Sequence, residues 1–326
     1  MKARDLGWIL KRTVAGWWND NVPRLGASLA YYTLFALAPI LIVAITIAGV
    51  FFGAEAVERE VTGQIGGLVG EQGARAVQAM LEGANHRSGN GVATAIGLAT
   101  FFLGATGAFL ELQTALNAIW RVKPKPDAGI KEMLVQRLLS FGLVIGVGFV
   151  LLVSLLVSAA LSALDRYIGA ILPDIALLWQ GVNTLVSLGV VTLLFAMIYQ
   201  FLPDVNLRLR DVWVGALVTA GLFGIGKFLI GLYLGTSGVA TTYGAAGSVV
   251  VLLIWVYYSS QIVLLGAEFT RAYVERFGAR PAPSAHATKD PAPEAVGGKA
   301  EPRTGAKVER KADGRTGGRA DGGKGA

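Results

Sequence analysis

Cysteine is absent from this chain and histidine nearly so, with only His86 and His286 among 326 residues. The first absence excludes disulfide staples, thiolate nucleophiles and sulfur-ligated metals. Two isolated histidines are too few for a histidine-rich metal site. Charge is scarce as well: 16% of residues are charged and 53% hydrophobic, with a mean hydropathy of +0.55. Soluble domains keep about a quarter of their residues charged to cover a wet surface. This composition suits lipid as solvent.

What charge exists is unevenly placed. Of the 29 Lys and Arg, 12 lie beyond Glu268, whereas the stretch 212–267 holds only Lys227. Six apolar stretches are long enough to cross a hydrocarbon core, which takes about 20 residues. They lie at 27–52, 92–120, 138–164, 176–202, 212–234 and 249–267. A soluble protein buries one or two such helices, not six with short links. The pattern predicts an all-α polytopic membrane protein with six transmembrane helices. The first run, Ala27 to Phe52, is too long for a signal-peptide h-region of roughly 7–15 residues, and no cleavage site follows it.

Basic residues alternate between links. Lys2, Arg4, Lys11, Arg12 and Arg24 precede the first span. Arg121, Lys123, Lys125, Lys131 and Arg137 fill the second link, and Arg208 and Arg210 the fourth. The first link sets Arg59, Arg75 and Arg87 against five glutamates, the third has only Arg166, and the fifth is uncharged. The positive-inside rule then puts both termini in the cytoplasm. Leu6, Leu10, Val14, Trp17 and Trp18 recur near helical spacing among basic residues, predicting an interfacial helix at the cytoplasmic leaflet. Asn21 or Asp20 is expected to cap the next helix, with Pro23 in its first turn, and Pro39 to kink it. In the long first link, Val57, Val61, Ile65 and Leu68, then Val77, Met80 and Leu81, predict outer amphipathic helices broken near Gly66, Gly67 and Gly70. Residues 1–277 read as the membrane domain. Residues 278–326, Pro/Ala-rich and then Gly/Lys/Arg-rich without apolar periodicity, read as a disordered basic cytoplasmic tail.

Small residues crowd the spans: Gly142 and Gly146 form a GxxxG, and Gly215, Gly221, Gly224, Gly226 and Gly231 fall in the fifth. Close helix packing in lipid accounts for them.

Three segments carry a family resemblance. They are NVPRLGASLAYYTLFALAPILIVAITIAGVFFG at 21–53, ELQTALNAIW at 111–120, and the run 202–273. That run includes LPDVNLRLRDVWVGAL, GKFLIGLYL and TTYGAAGSVVVLLIWVYYSSQIVLLGAEFTRAY. Together they resemble the YihY/BrkB family of bacterial inner-membrane proteins, over residues 10–275. The resemblance implies a six-helix membrane domain with cytoplasmic ends in the bacterial inner membrane. It implies no settled activity: the family has carried the label ribonuclease BN, a link to serum resistance, and for some members a suspected role in moving envelope lipids. The tail after 278 matches nothing in that pattern.

The ribonuclease label fails on these residues. Metal-assisted phosphodiester cleavage needs clustered His, Asp or Glu with an open coordination position. His86 and His286 stand alone, and Asp127, Glu132, Asp204 and Asp211 are isolated among basic residues. No catalytic residue, metal, cofactor or nucleic-acid partner is expected, and the chain is read as no enzyme. Gly221 to Lys227 fits GxxxxGK, but the next residue is Phe228 and the run is mid-span, so no phosphate loop is expected.

Polar residues at membrane depth remain. Glu111 lies about 13 Å inward of Trp120, and Lys227 lies beyond the midplane of the fifth span, at about 1.5 Å per residue. Charges there cost about 2.5–3.5 kcal/mol and normally face the bundle interior or water. Glu111, Asn117, Lys227 and Tyr243 form the candidate intramembrane polar site. An ion pair across spans two and five and a snorkelling Lys227 are both open. Gln113 and Asn117 do not continue one stripe with Glu111. Asn183, Gln200 and Gln261 read as interhelical hydrogen-bonders, and Glu268 and Arg271 as an i,i+3 pair. Two functions fit: a transporter or flippase-like protein for an envelope lipid or related amphipathic solute, with membrane lipids as partners and an anionic headgroup suited to Lys227; or a non-transporting accessory envelope protein. No ATP-binding module is present, so transport would draw on a gradient or a partner.

Overall fold

The computed structural model describes residues 3–85, 91–125, 176–238, 242–243, 246–279, 281–284 and 286–290. The expected third span at 138–164, with Gly142 and Gly146, lies outside the described residues, as do His86 and 291–326. The chain divides into a unit Met1–Asp290 and a unit Pro291–Ala326; all described residues belong to the first.

Eight helices are seen among the described residues. They are α1 (Ala3–Asn19), α2 (Val22–Phe52), α3 (Ala54–Val69), α4 (Glu71–Asn85), α5 (Gly91–Trp120), α6 (Ala176–Phe201), α7 (Leu209–Thr236) and α8 (Gly247–Phe277). Four short strands join them: β1 (Val122–Pro124), β2 (Val205–Asn206), β3 (Ala282–Pro283) and β4 (Ala287–Lys289). Among the described residues, three stretches are long and apolar enough to cross a membrane: Thr184–Phe201, Leu209–Leu234 and Gly247–Phe277. Gly53 and Gly70, both at φ 84, separate α2 from α3 and α3 from α4, a backbone conformation that a Cβ disfavours. Of the glycines expected to break the outer helices, only Gly70 does so.

Asn21, at φ 53, stands at the N-cap of α2 without a side-chain cap bond, and Pro23 lies in the first turn. The expected side-chain cap is therefore absent, because Asp20 is engaged elsewhere, as described below. α2 runs unbroken through Pro39.

α8 is the central element, packing on α1, α2, α4, α5 and α7. Its C-terminal half joins Leu264 and Ala267 to Ala115, Leu116 and Ile119 of α5, Phe195 and Tyr199 of α6, and Val212 and Ala216 of α7. Its N-terminal half joins Val251, Leu252 and Val256 to Ala76, Val77 and Leu81 of α4. The amphipathic face read in the first link thus packs on α8. The α7–α8 seam is made by small residues. Thr270 abuts the bare Cα of Gly215, Ile262 that of Gly226, and Thr219 and Tyr199 that of Gly266. The Tyr199 hydroxyl donates to Val263 O at 2.6 Å and lies 3.1 Å from Thr219 Oγ1. By contrast, Gly221, Gly224 and Gly231 meet no described neighbour within 4 Å.

α1 buries Ile9 against Phe269 and Ala272 of α8 and leaves Leu6, Leu10, Val14 and Trp18 exposed. α1 is thus a helix with one buried and one exposed face, and it is riveted to α8. Arg12 pairs with Glu275 at 2.8 Å and Arg276 with Asp5 at 2.7 Å, while the Arg276 guanidinium lies 5.7 Å over the Trp8 ring.

Order continues past the expected boundary at 278. Residues 281–284 and 286–290 are folded: β3 pairs with β2 and β4 with β1, both antiparallel. Lys125 N donates to His286 O, Ser284 N to Asp204 O and Asp290 N to Arg121 O, at 2.8–3.0 Å, and Ala287 is buried with Trp120, Val205 and Val274. Pro281 and Pro283 favour the extended backbone that such edge pairing needs. At about 0.5–1.5 kcal/mol net per hydrogen bond, truncation after Gly278 is expected to cost about 2–4 kcal/mol. Truncation after Asp290 is expected to leave thermal unfolding in detergent unchanged. Equal melting of the two truncations would show that the strands hold nothing.

Candidate functional site: a charged knot at one end of the bundle

The four residues singled out from sequence do not meet. Glu111 is half-buried on α5, which packs on α2 and α8, whereas Lys227 is exposed on α7, which packs on α6 and α8. No hydrogen bond or ion pair joins them. Tyr243 is exposed in the α7–α8 link. Asn117 is buried and belongs to a clasp. Its Nδ2 donates to Asp204 Oδ2 at 2.8 Å, while Asp204 N donates to Asn117 Oδ1 at 2.8 Å. Gln113 Nε2 adds a bond to Asp204 Oδ1 at 3.3 Å. Gln113 and Asn117 are i,i+4 on α5, and that spacing carries the polar face; pairing either with Glu111 mistakes the face.

Other polar expectations divide. Gln200 Nε2 donates to Leu207 O at 3.2 Å, in the link after its own helix rather than across helices. Neither amide atom of Gln261 finds a partner among the described residues, where its amide lies against Gly26 of α2. The Asn183 side chain lies outside the described residues. The GxxxxGK run is continuous helix within α7.

The largest polar assembly is one that the sequence hid. Arg271 is 6% exposed. Its Nη1 donates to Asp20 Oδ2 at 2.5 Å and to Ile119 O at 2.7 Å, and its Nε to Glu275 Oε1 at 3.1 Å. One guanidinium thus ties the α1–α2 turn and the end of α5 to α8. Arginine suits this because its planar fork presents several donors in fixed directions. The Ile119 carbonyl is one that the last turn of α5 leaves without an intrahelical donor, and a cation there also meets the negative end of the helix dipole. α5 stops at Arg121, which adopts φ 52 and reaches Asp20 Oδ1 with Nη2 at 3.3 Å. Glu268 is 2% exposed and lies 3.6 Å from Arg271 Nη1. The i,i+3 contact is therefore present, but it is the weakest link of the knot: Arg271 is committed first to Asp20 and a backbone carbonyl. Among the described residues, no three His, Asp or Glu side chains stand close enough together to hold a metal ion.

Long apolar helices packed through glycine, with charge gathered into a buried knot at one end, define a helical membrane protein. The comparisons name the kind. A model of the family described as "Virulence factor BrkB" matches residues 13–291, and the chain belongs to that family. It is similar to a UPF0761 membrane protein of Ralstonia nicotianae, 29% identical over 254 residues, covering 76% of this chain and 55% of the relative. A UPF0761 membrane protein of Neisseria meningitidis serogroup B is 30% identical over 259 residues, covering 77% and 60%. One from Pseudomonas paraeruginosa is 28% identical over 256 residues, covering 76% and 58%. The chain thus spans little more than half the length of these relatives. No solved structure matches it.

Proposed function

We propose that the chain is a six-span protein of the bacterial inner membrane, both termini cytoplasmic, that moves an anionic envelope lipid or related amphipathic solute, and that it is not an enzyme. The observation that carries this reading is Lys227. It is exposed on α7 inside the apolar stretch Leu209–Leu234, flanked by exposed Ile225, Phe228, Leu229 and Leu232. It has no hydrogen bond or ion pair to a described residue. It sits about 27 Å along α7 from Leu209 and about 10 Å short of Leu234, at about 1.5 Å per residue. A cation at that depth is costly unless something anionic or polar meets it. Gly224 and Gly231, three residues before and four after, remove side-chain bulk from the same face, leaving room for a phosphate headgroup beside the ammonium.

A closely packed seam such as α7–α8 favours the second reading, a non-transporting accessory protein in which Lys227 only snorkels to the interface. Native mass spectrometry of gently purified protein separates the two. The transport reading expects anionic phospholipid to be retained, with more than tenfold preference over zwitterionic lipid. Retention without preference supports the accessory role.

A further inference from the structure

We propose that Glu268 is a proton-binding site of the folded bundle: its carboxyl takes up and releases a proton instead of standing as the fixed anion of an ion pair with Arg271. The argument starts from what surrounds it. Arg271 on α8 is the near cation, but its Nη1 is engaged by Asp20 Oδ2 at 2.5 Å and Ile119 O at 2.7 Å, and its Nε by Glu275 at 3.1 Å. From Arg271, Glu268 receives the 3.6 Å approach to Oε2, beyond hydrogen-bond length, and its other close polar neighbour is the Asp20 carboxyl. Oε1 has no hydrogen-bond partner among the described residues.

The neighbouring elements supply no donor either. From α1, Gly16 presents a bare Cα against the carboxylate, so close that a Cβ would overlap it. Thr13, one turn earlier, is buried with its hydroxyl given to Ile9 O at 2.9 Å. Arg12 turns outward to Glu275 at 2.8 Å. From the α1–α2 turn comes a second acid, Asp20, which takes both Arg271 and, at 3.3 Å, Arg121. From α5 comes the negative end of a helix dipole, worth about half an elementary charge. The deep part of the knot therefore sets two carboxyls and a helix C-terminus against one fully buried guanidinium. An ionised carboxylate with an oxygen left dry carries a desolvation cost of several kcal/mol, and protonation removes that cost.

The step is a simple equilibrium: Glu268 carboxylate plus a proton gives the neutral acid, the proton coming from water at the half-exposed Arg12–Glu275 rim. The same face of α8 continues two turns on to Gln261, whose amide is unpartnered against Gly26. Leu264, fully buried, fills the turn between them, so the two polar groups are separate points on one face. If the transport reading holds, Glu268 is where a proton gradient couples to it; the proton site itself does not depend on that reading.

Infrared difference spectroscopy of the full chain in phosphatidylglycerol-containing nanodiscs tests it. Wild type minus Glu268→Gln should show a protonated-carboxyl stretch at neutral pH that is lost on alkalinisation. Glu268→Gln should also melt with wild-type stability, since a neutral side chain of the same shape replaces a neutral acid. Only carboxylate bands at neutral pH, or a Glu268→Gln variant that melts as low as Arg271→Met, would establish the fixed ion pair and overturn the proposal. Should Glu268→Gln yield no folded protein, wild type minus Glu268→Asp gives the same reading, because the aspartic-acid stretch absorbs at a different frequency. A glutamic-acid band at neutral pH that this substitution removes supports the site, and its absence overturns it.

Discussion

Replacing Arg271 with methionine is expected to cost about 3–5 kcal/mol of stability, the usual loss when one partner of a buried ion pair is removed. For a membrane protein of this size, that is enough to lose most folded material from detergent extracts. Methionine matches much of the apolar stem but leaves the Ile119 carbonyl without its donor and the Asp20 carboxylate with only the 3.3 Å bond from Arg121. Arg271→Lys should recover only part of the loss, because a single ammonium cannot reach Asp20, Ile119 O and Glu275 as the fork does. Adding Asp20→Asn to Arg271→Met should return about half of the deficit, since the uncompensated charge goes with it. Fluorescence-detected gel filtration after a heat step measures all three. Wild-type melting of Arg271→Met would show the knot to be ornamental.

Lys227→Met is expected to do the reverse: leave folding untouched and remove function. Its side chain is exposed and holds nothing together, so the variant should extract and melt as wild type does, as surface changes usually do within about 0.5 kcal/mol. Retained anionic lipid should fall at least tenfold, whereas Lys227→Arg keeps the charge and most of the binding. Because no hydrogen bond or ion pair joins Glu111 to Lys227 among the described residues, Glu111→Gln should neither rescue Lys227→Met nor worsen its folding. A Lys227→Met protein that keeps its lipid would assign the lysine to snorkelling.

How much of this was legible in the sequence follows from the range over which each feature is encoded. Long apolar runs are local signals, and the helices at 27–52, 92–120, 176–202 and 212–234 appear within a few residues as α2, α5, α6 and α7. α8 runs well past 267, to Phe277, because Glu268, Arg271 and Glu275 look like the end of a span until their partners on α1 and α5 are known. The knot joins Asp20 to Arg271 across most of the chain, and no periodicity signals that; only the Glu268–Arg271 spacing was visible, and it is the minor contact. The Gln113–Asn117 spacing was also there to be read, but not the Asp204 that it holds. The strands at 282–283 and 287–289 are two or three residues long and proline-flanked. Their order comes from β1 and β2, far away in sequence, so composition alone made them look like tail. The four-residue candidate site was drawn from depth alone. Depth arithmetic places residues along a helix axis but not around it, and no hydrogen bond or ion pair joins Glu111 on α5 to Lys227 on α7 among the described residues.

The central claim, movement of an anionic lipid, is tested most directly by reconstituting the full chain into liposomes containing head-labelled phosphatidylglycerol. The label remaining after an impermeant quencher is added reports the protected leaflet. The account predicts that wild-type protein, with or without an imposed proton gradient, makes the protected pool accessible at least tenfold faster than empty liposomes. Lys227→Met, folded and equally incorporated, should return the rate to background. A wild-type rate no faster than empty liposomes under either condition would contradict it and leave the accessory role as the function of this fold.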